Sequence, residues 1–257
     1  MQHAHPCFRR LSLSLFIYDD ETIEDLQLKG LRLIQKKNAF RFGMDSVLLA
    51  HFASIRNNET VADFGTGNGI LIFLLYGRNK GKRYYALDIQ TEAVELVRRN
   101  AELNNMGDLI KAFNTDAIDA VSYISPGTVD AVICNPPYGR PSASLSSPCI
   151  AKATARSQND ETMEHLIKGA FSILKGKGRL FLVYPAAQML FLMKCLQINH
   201  MEPKRFQLVY PYADKPANLV LIEAVKDAKP MLHPMAPLII HEKDGTLTNE
   251  LKSVYHI

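Results

Sequence analysis

Residues 135–138 read Asn-Pro-Pro-Tyr, directly behind the apolar run "VDAVIC" (129–134). Asn135 precedes a proline and is biased towards extended backbone. Pro136 and Pro137 fix their own φ and offer no backbone N–H, so the loop is stiff and its carbonyls remain acceptors. The Asn135 side chain adds a neutral acceptor. Two acceptors that hold both N–H groups of a planar exocyclic amine would aim its nitrogen for attack and ease its pyramidalisation. Tyr138 would stack on the ring that carries the amine. The plain alternative is a proline-rich turn after a strand.

Three further groups sit at comparable points. "DFGTGNG" (63–69) places Asp63, Gly65, Gly67 and Gly69 at the end of the apolar "TVADF" (60–64). Glycines at this spacing let the backbone approach a ligand and turn into a helix. The pattern is GxGxG rather than GxGxxG, and a fixed carboxylate at Asp63 would repel a diphosphate but attract an ammonium. Asp88 closes "RYYALD" (83–88) and can accept both hydroxyls of a ribose. Asp116 follows "LIKAFN" (109–114). Read singly, the glycine turn is a tight connector or a dinucleotide site, and the two acids are cap or turn residues. Read together they point to S-adenosylmethionine, whose amino-acid end carries an ammonium and whose sulfonium supplies a reactive methyl.

Positioning these groups requires strands that end at one edge. Between the strand-like runs lie "ILIFLLY" (70–76), read as a buried helix, and "TEAVELVRRNAELNN" (91–105), a helix with Thr91 as its N-cap. "ETMEHLIKGAFSILK" (161–175) reads as a helix closed by Gly176, "RLFLVYP" (179–185) as a strand and "AAQMLFLMKCLQIN" (186–199) as a helix. "RFQLVYP" (205–211) and "ANLVLIEAVK" (217–226) are two final strands with no helix between them. Strand alternating with helix implies right-handed crossovers and a parallel sheet covered on both faces, with ligands outside the strands' carboxyl ends. The expected fold is α/β, a doubly wound, mostly parallel seven-stranded sheet with an antiparallel strand at its edge.

Composition sets bounds on function. A chain of 257 residues can bury a sizeable core. The net charge of +4 permits a polyanionic partner without demanding one. Cys7, Cys134, Cys149 and Cys195 are scattered, with no CxxC and no histidines at metal spacing, so no metal is expected and a reducing, cytoplasmic setting is. No apolar run approaches the ~18 residues of a membrane span. The N-terminal "MQHAHPCFRRLSLSLFIYDD" has a short apolar run broken by serines and followed by Asp19 and Asp20, and reads as a loose extension rather than a signal peptide.

With "DFGTGNG", "ALD" and "NPPY" in place, residues 40–225 resemble the Rossmann-like methyltransferases that use S-adenosylmethionine on planar nitrogens. The stretch "LQLKGLRLIQKKNAFRFGMDSVLLAHFA" (26–53) and the tail "YPYADKPANLVLIEAVK" (210–226) resemble the bacterial tRNA1(Val) (adenine-37-N6)-methyltransferase family. The resemblance implies a cover segment over 26–55, a core over 56–226, and extensions at 1–25 and 227–257. It implies that Arg41, Phe42 and Asp45 wall the cofactor side. Asp63, Gly65, Thr66 and Gly67 would bind the methionine end, Asp88 and Ile89 the nucleoside, and Asp116 and Ala117 the adenine. Asn135, Pro136, Pro137 and Tyr138 would hold the target base, with Asn135 also lining the cofactor site. One departure is "ARSQ" (155–158), where close relatives would carry an "ARHE"-like run; another is the small-residue-rich "PSASLSSPCIAK" (141–152).

The implied partner is tRNA, gripped at its anticodon loop, where bases splay at little unpairing cost. Lys36, Lys37, Arg41, Arg140, Lys152, Arg156 and Lys215 flank strand ends or the cover segment and are the basic residues placed to meet it. The denser runs "GRNKGKR" (77–83) and "KGKGR" (175–179) join helices to strands at the opposite edge and read as solvated turns. Rival acceptors are a protein glutamine amide and a DNA adenine. The former usually comes with a helical N-terminal domain and the latter with a target-recognition domain. A nucleotide-binding dehydrogenase and a catalytically idle RNA-binding module are the rivals of another class.

Overall fold

The computed structural model describes residues 17–37, 43–136 and 148–255, the side chains of 148–160 excepted. A hairpin comes first, β1 (Glu21–Asp25) antiparallel to β2 (Arg32–Lys36), followed by helix α1 (Met44–Phe52). The alternating series is β3 (Thr60–Phe64), α2 (Ile70–Gly77), β4 (Arg83–Asp88), α3 (Thr91–Leu103), β5 (Ile110–Asn114), a 3-10 turn over Ala117–Ser122, β6 (Val129–Cys134), α4 (Pro148–Ile173), β7 (Leu174–Pro185) and α5 (Met189–Ile198). Then come β8 (Met201–Tyr212), β9 (Leu219–Lys226), the short β10 (His233–Pro234) and β11 (Leu238–His241), and α6 (Asn249–Tyr255).

The main sheet runs β5-β4-β3-β6-β7-β9-β8-β10, with β11 also on β8. Strands β3 to β7 are mutually parallel, as apolar runs separated by crossover helices require. The seven expected strands all form. The antiparallel one is not at the edge: β9 lies between β7 and β8, which restores β8 to the common direction. The outer side of β8 is taken by β10 and β11 from the C-terminal stretch, both parallel to it. Along β3, Val61 faces the core shared with α1, α2 and α6, while Ala62 and Phe64 face the core shared with α4 and α5. Helix α2 is apolar all round because six of its residues in succession, Ile70 to Leu75, are buried.

Two element bounds differ from expectation. Helix α4 begins at Pro148 instead of 161, and β7 starts directly at Leu174, so Gly176 lies within a strand and closes no helix. Val129 pairs with Leu174 but Ala131 with Arg179, so part of the Lys175–Gly178 run loops out of register. In α3 the N-cap is Gln90 and not Thr91, whose hydroxyl donates across to Asn114 Oδ1 at 3.1 Å.

The hairpin is clamped onto α3. Arg99 makes a two-pronged ion pair with the buried Glu21 (2.5 and 2.7 Å), and its guanidinium lies over the Tyr18 ring. Asn100 and Asn104 sit one helical turn apart, a rise of about 6 Å, which matches the roughly 6.6 Å between alternate strand residues. Their amides therefore pair with the outer backbone of β2 as another strand would. Asn104 accepts from Arg32 N (2.9 Å) and donates to Arg32 O (2.7 Å); Asn100 accepts from Ile34 N (2.7 Å) and donates to Ile34 O (3.1 Å). The second Asn100 hydrogen reaches Asn68 O at 3.0 Å, inside the glycine turn. Asn100→Ala strands three backbone groups, and urea unfolding should show a loss of about 3 kcal/mol or more. Asn104→Ala frees groups that water can reach and should lose no more than about 1 kcal/mol.

Candidate active site

Parallel register brings the expected site residues to one edge. Phe64 is level with Leu87 and with Cys134, and Asp88 with Asn114, so β3, β4, β5 and β6 end together. The chain leaves β3 through Gly65, Gly67 and Gly69, all in left-handed backbone (φ +66°, +56° and +84°). At Gly69 space is limiting too, since a Cβ would meet the Phe73 ring at 3.0 Å and Val97 at 3.3 Å. Backbone N–H groups of Gly65 and Thr66 donate to Leu87 O, and Asn68 Oδ1 accepts from Ile70 N at the start of α2.

Asp63 is fully buried. Its Oδ2 accepts from the Thr66 hydroxyl at 2.8 Å, while Oδ1 has no hydrogen-bond partner among the described residues. Burial, with the nearby Asp88 charge adding to it, pushes the carboxyl up to about 8. Asp88 holds two backbone donors, Gly67 N on Oδ2 and Gln90 N on Oδ1, both at 2.9 Å. It therefore ties the glycine turn to the end of β4, and each oxygen keeps a further lone pair. Beside it Ile89 is an apolar side chain 70% exposed. Asp116 is an N-cap, accepting from Ile118 N at 3.1 Å, and its other oxygen lies 3.8 Å from His165 on α4. Ala117 is held by the close approach of α4, since a Cβ on Gly169 would come within 1.9 Å of Ala117 O.

Asn135 follows β6 and donates from Nδ2 to Ser46 Oγ at 3.1 Å; Pro136 beside it is buried. Asp45 lies half-buried in the first turn of α1, where burial raises its carboxyl above the usual range. Pro137, Tyr138, Arg41, Phe42 and Arg140 lie outside the described residues, as do the side chains of Lys152 and Arg156. Lys36 ends β2, and Lys37 spends its ammonium on Asp19 O at 2.7 Å. Lys215 is exposed on the β8–β9 turn, at the sheet edge that carries Asn135, with Asp214 at 3.9 Å.

The two basic runs at the far edge are anchors rather than solvated turns. Lys80 gives its three hydrogens to Ala50, His51 and Ala53 carbonyls at the end of α1. Lys175 pairs with Asp130, and Arg179 with Glu59. Sequence reasoning missed Ser46, Asn68, Asn100 and His165. The two asparagines four apart in α3 were a visible signal for a side-chain clamp; Ser46 carried none.

The methyltransferase small domain family matches residues 42–197. The chain belongs to this family. The tRNA1(Val) (adenine(37)-N6)-methyltransferase of Bacteroides thetaiotaomicron is 31% identical over 160 residues, 62% of this chain and 65% of that protein, slightly under two thirds of its length. The Vibrio campbellii protein of the same name is 26% identical over 231 residues, covering 86% of this chain and 92% of its own. The crystal structure of a predicted O-methyltransferase from Agrobacterium tumefaciens shares the fold, with a TM-score of 0.66 at 22% identity over 83% of this chain and 96% of that one.

For this methyltransferase the state of Asp63 has a measurable sign. In the folded chain burial pushes the Asp63 carboxyl up to about 8, whereas the unfolded chain releases the proton near the ordinary aspartate value of 3.8. Between those values the folded state binds the extra proton, so stability falls as pH rises. Urea midpoints at pH 5, 7 and 9 should decline for the native chain and decline less for Asp63→Asn. Parallel curves would mean that Asp63 is already ionised in the fold.

Proposed function

We propose that this methyltransferase transfers a methyl group to N6 of adenine 37 in tRNA1(Val). The observation that carries the reading is the neutral Asn135 amide at the end of β6, one strand from the buried carboxyl of Asp63 on β3. The relatives' names support the acceptor. The donor is S-adenosylmethionine, which when bound supplies a methyl made electrophilic by its sulfonium.

The residues present fit that donor. Asp63 Oδ1 is buried without a hydrogen-bond partner among the described residues, and the ammonium of the methionine end would pair with it as the carboxyl gives up its proton. Gly65, Thr66 and Gly67 leave the backbone open beside it. The spare lone pairs of Asp88 suit ribose hydroxyls, the bare face of Ile89 suits the adenine ring, and Asp116 with Ala117 bounds its amino edge. Arg41, Phe42 and Asp45 close the cleft from the cover side, so that 26–55 acts as cover and 56–226 as the transfer core, with 1–25 and 227–257 as extensions.

Catalysis is positioning. Asn135 Oδ1 and the Pro136 carbonyl accept the two N–H groups of the adenine amine, aim its nitrogen and offset the positive charge that grows on it. Pro137 keeps the loop stiff, and Tyr138 stacks on the base. Asn135 neither takes nor gives a proton, and the amine's proton leaves to water once the new bond has made it acidic. Lys36, Lys37, Arg140, Lys152, Arg156 and Lys215 meet the phosphates of the anticodon arm. A tRNA acceptor places the reaction in the cytoplasm.

The test is methyl transfer from labelled donor to unmodified tRNA, with release factor protein and DNA in parallel, and identification of the modified nucleoside. N6-methyladenosine at position 37 is expected; label in the protein would move the acceptor to a glutamine amide. Asn135→Ala should keep donor binding and lose about 10²–10³-fold in kcat. Turnover at the native rate would overturn the role given to the loop.

A further inference from the structure

We infer that Tyr212 and His241 form a stacking platform for an unpaired base of the tRNA anticodon loop, a base other than the adenine held at Asn135. This rests on the tRNA reading given above and adds a second point of contact to it. The two residues are paired in register on neighbouring strands, Tyr212 at the end of β8 and His241 at the end of β11. Both strands lie beyond residues 42–197, the part matched by the family. The two rings are nearly parallel, 26° apart in plane with 5.1 Å between centroids. His241 Nδ1 is 3.1 Å from Pro211 O, which can only accept, so the imidazole donates there and its orientation is held. A ring pair fixed in this way meets a base with little further loss of rotamer freedom.

Strand pairing places this pair in front of the acceptor site. Cys134 is level with Leu182, Leu182 with Ile222 and Ile222 with Phe206, so Phe206 marks on β8 the level at which β6 ends. From there β8 continues in the direction of β6 to Tyr212, about 20 Å further at the rise of an extended strand. Three strand spacings, about 14 Å, separate β8 from β6. The pair therefore stands roughly 25 Å from Asn135 at the same edge, too far to touch the target base and placed to meet a neighbour in the same loop. Its face is also unclaimed. Val209 and, on β11, Leu238 and Ile240 point into the core shared with α1, while Leu208 packs on the core shared with α4 and α5. Tyr210 and Tyr212 follow Leu208 on that second face, as do Ile239 and His241 on β11. Yet Tyr210, Tyr212 and Ile239 join neither core, and with His241 they remain half-exposed. Apolar and aromatic side chains that no core takes up mark a contact surface. The charges around it are mixed. Lys215, whose backbone N–H donates to Tyr212 O at 3.1 Å, lies 3.9 Å from Asp214. The turn after His241 carries Glu242, Lys243 and Asp244. What the platform offers RNA is thus ring surface rather than a field, and every base has a face to lay on it.

The probe is a fluorescently labelled anticodon stem-loop of tRNA1(Val), bound to the full chain and followed by anisotropy. Tyr212→Ala should raise its Kd about fivefold or more, and Tyr212→Phe by less than about twofold. Tyr212→Leu keeps an apolar side chain on the strand but has no ring, and should behave like Tyr212→Ala. The donor dissociation constant and the thermal midpoint should stay close to native in all three. So should kcat at saturating RNA, because the contact is the same before and during transfer. No charge is removed, so the fold loss should be equal at about 50 and 200 mM salt. Stem-loops that lack one loop base at a time then locate the partner. One abasic position other than the target should weaken binding to the native chain and have no effect on binding to Tyr212→Ala. Native Kd in Tyr212→Ala, or losses that add at every abasic position, would overturn the inference. So would loss of self-association with unchanged RNA binding, which would give the face to a second copy of the chain. If the chain methylates tRNA and Tyr212→Ala binds it as the native chain does, only the platform fails; if the chain methylates no RNA, the tRNA reading fails and the platform with it.

Discussion

The buried amide of Asn100 holds two parts of the chain against each other. On one side it pairs with both backbone groups of Ile34 in the hairpin; on the other it donates to Asn68 O in the glycine turn. It is fully buried, as is Ile34, whose two backbone groups it satisfies, while Asn68 O lies in a part-buried turn. The hairpin has its own pairing but only two strands, too few to be stable alone. Its docking on α3 therefore rests on Asn100, Asn104 and the Arg99–Glu21 pair. Because the same amide also touches the glycine turn, the hairpin and the cofactor loop are set against one reference, helix α3.

Helix α1 plays the corresponding part on the acceptor side. It faces the sheet core through Val47, Leu48 and Phe52, and the Phe52 ring meets Phe181 edge-on at 6.4 Å. Its C-terminal carbonyls are gathered by one ammonium. That arrangement satisfies the groups a helix end leaves open and sets a positive charge against the negative end of the helix dipole. The basic residues of the lower edge thus hold the scaffold, while the upper edge gathers the Asn135 amide and the carboxyls of Asp63, Asp88 and Asp116.

The sequence made the central strands legible because each is a short apolar run that ends in a glycine, an acid or an asparagine. Asp63, Asp88, Asp116 and Asn135 could be assigned to one edge for that reason alone. Other features have no local signature. The first half of α4 was missed because "PCIAKATARSQND" carries small and polar residues without an apolar period. The antiparallel strand was placed at the edge because a hairpin of two strands does not say which of them inserts beside β7; β9 wins, and the C-terminal stretch then covers β8. Asp88 and Asp116 proved to have structural roles, holding backbone N–H groups that spacing alone did not reveal. Ser46 was invisible because its partner lies 89 residues away.

The insertion of β9 between β7 and β8 also orders events in time. Strand β8 is synthesised before β9 yet has no place in the sheet until β9 has paired with β7. Helix α1 is made early and packs on α2, but its other neighbours β7, β9 and α6 come from the second half of the sequence. A ribosome releasing this polypeptide from its N-terminus therefore holds α1 only partly covered until β7 and β9 emerge, and β8 unclaimed until β9 follows it. These pairings join segments far apart in sequence, which is slow in the way that distant contacts are, and the nascent chain is open to wrong partners meanwhile.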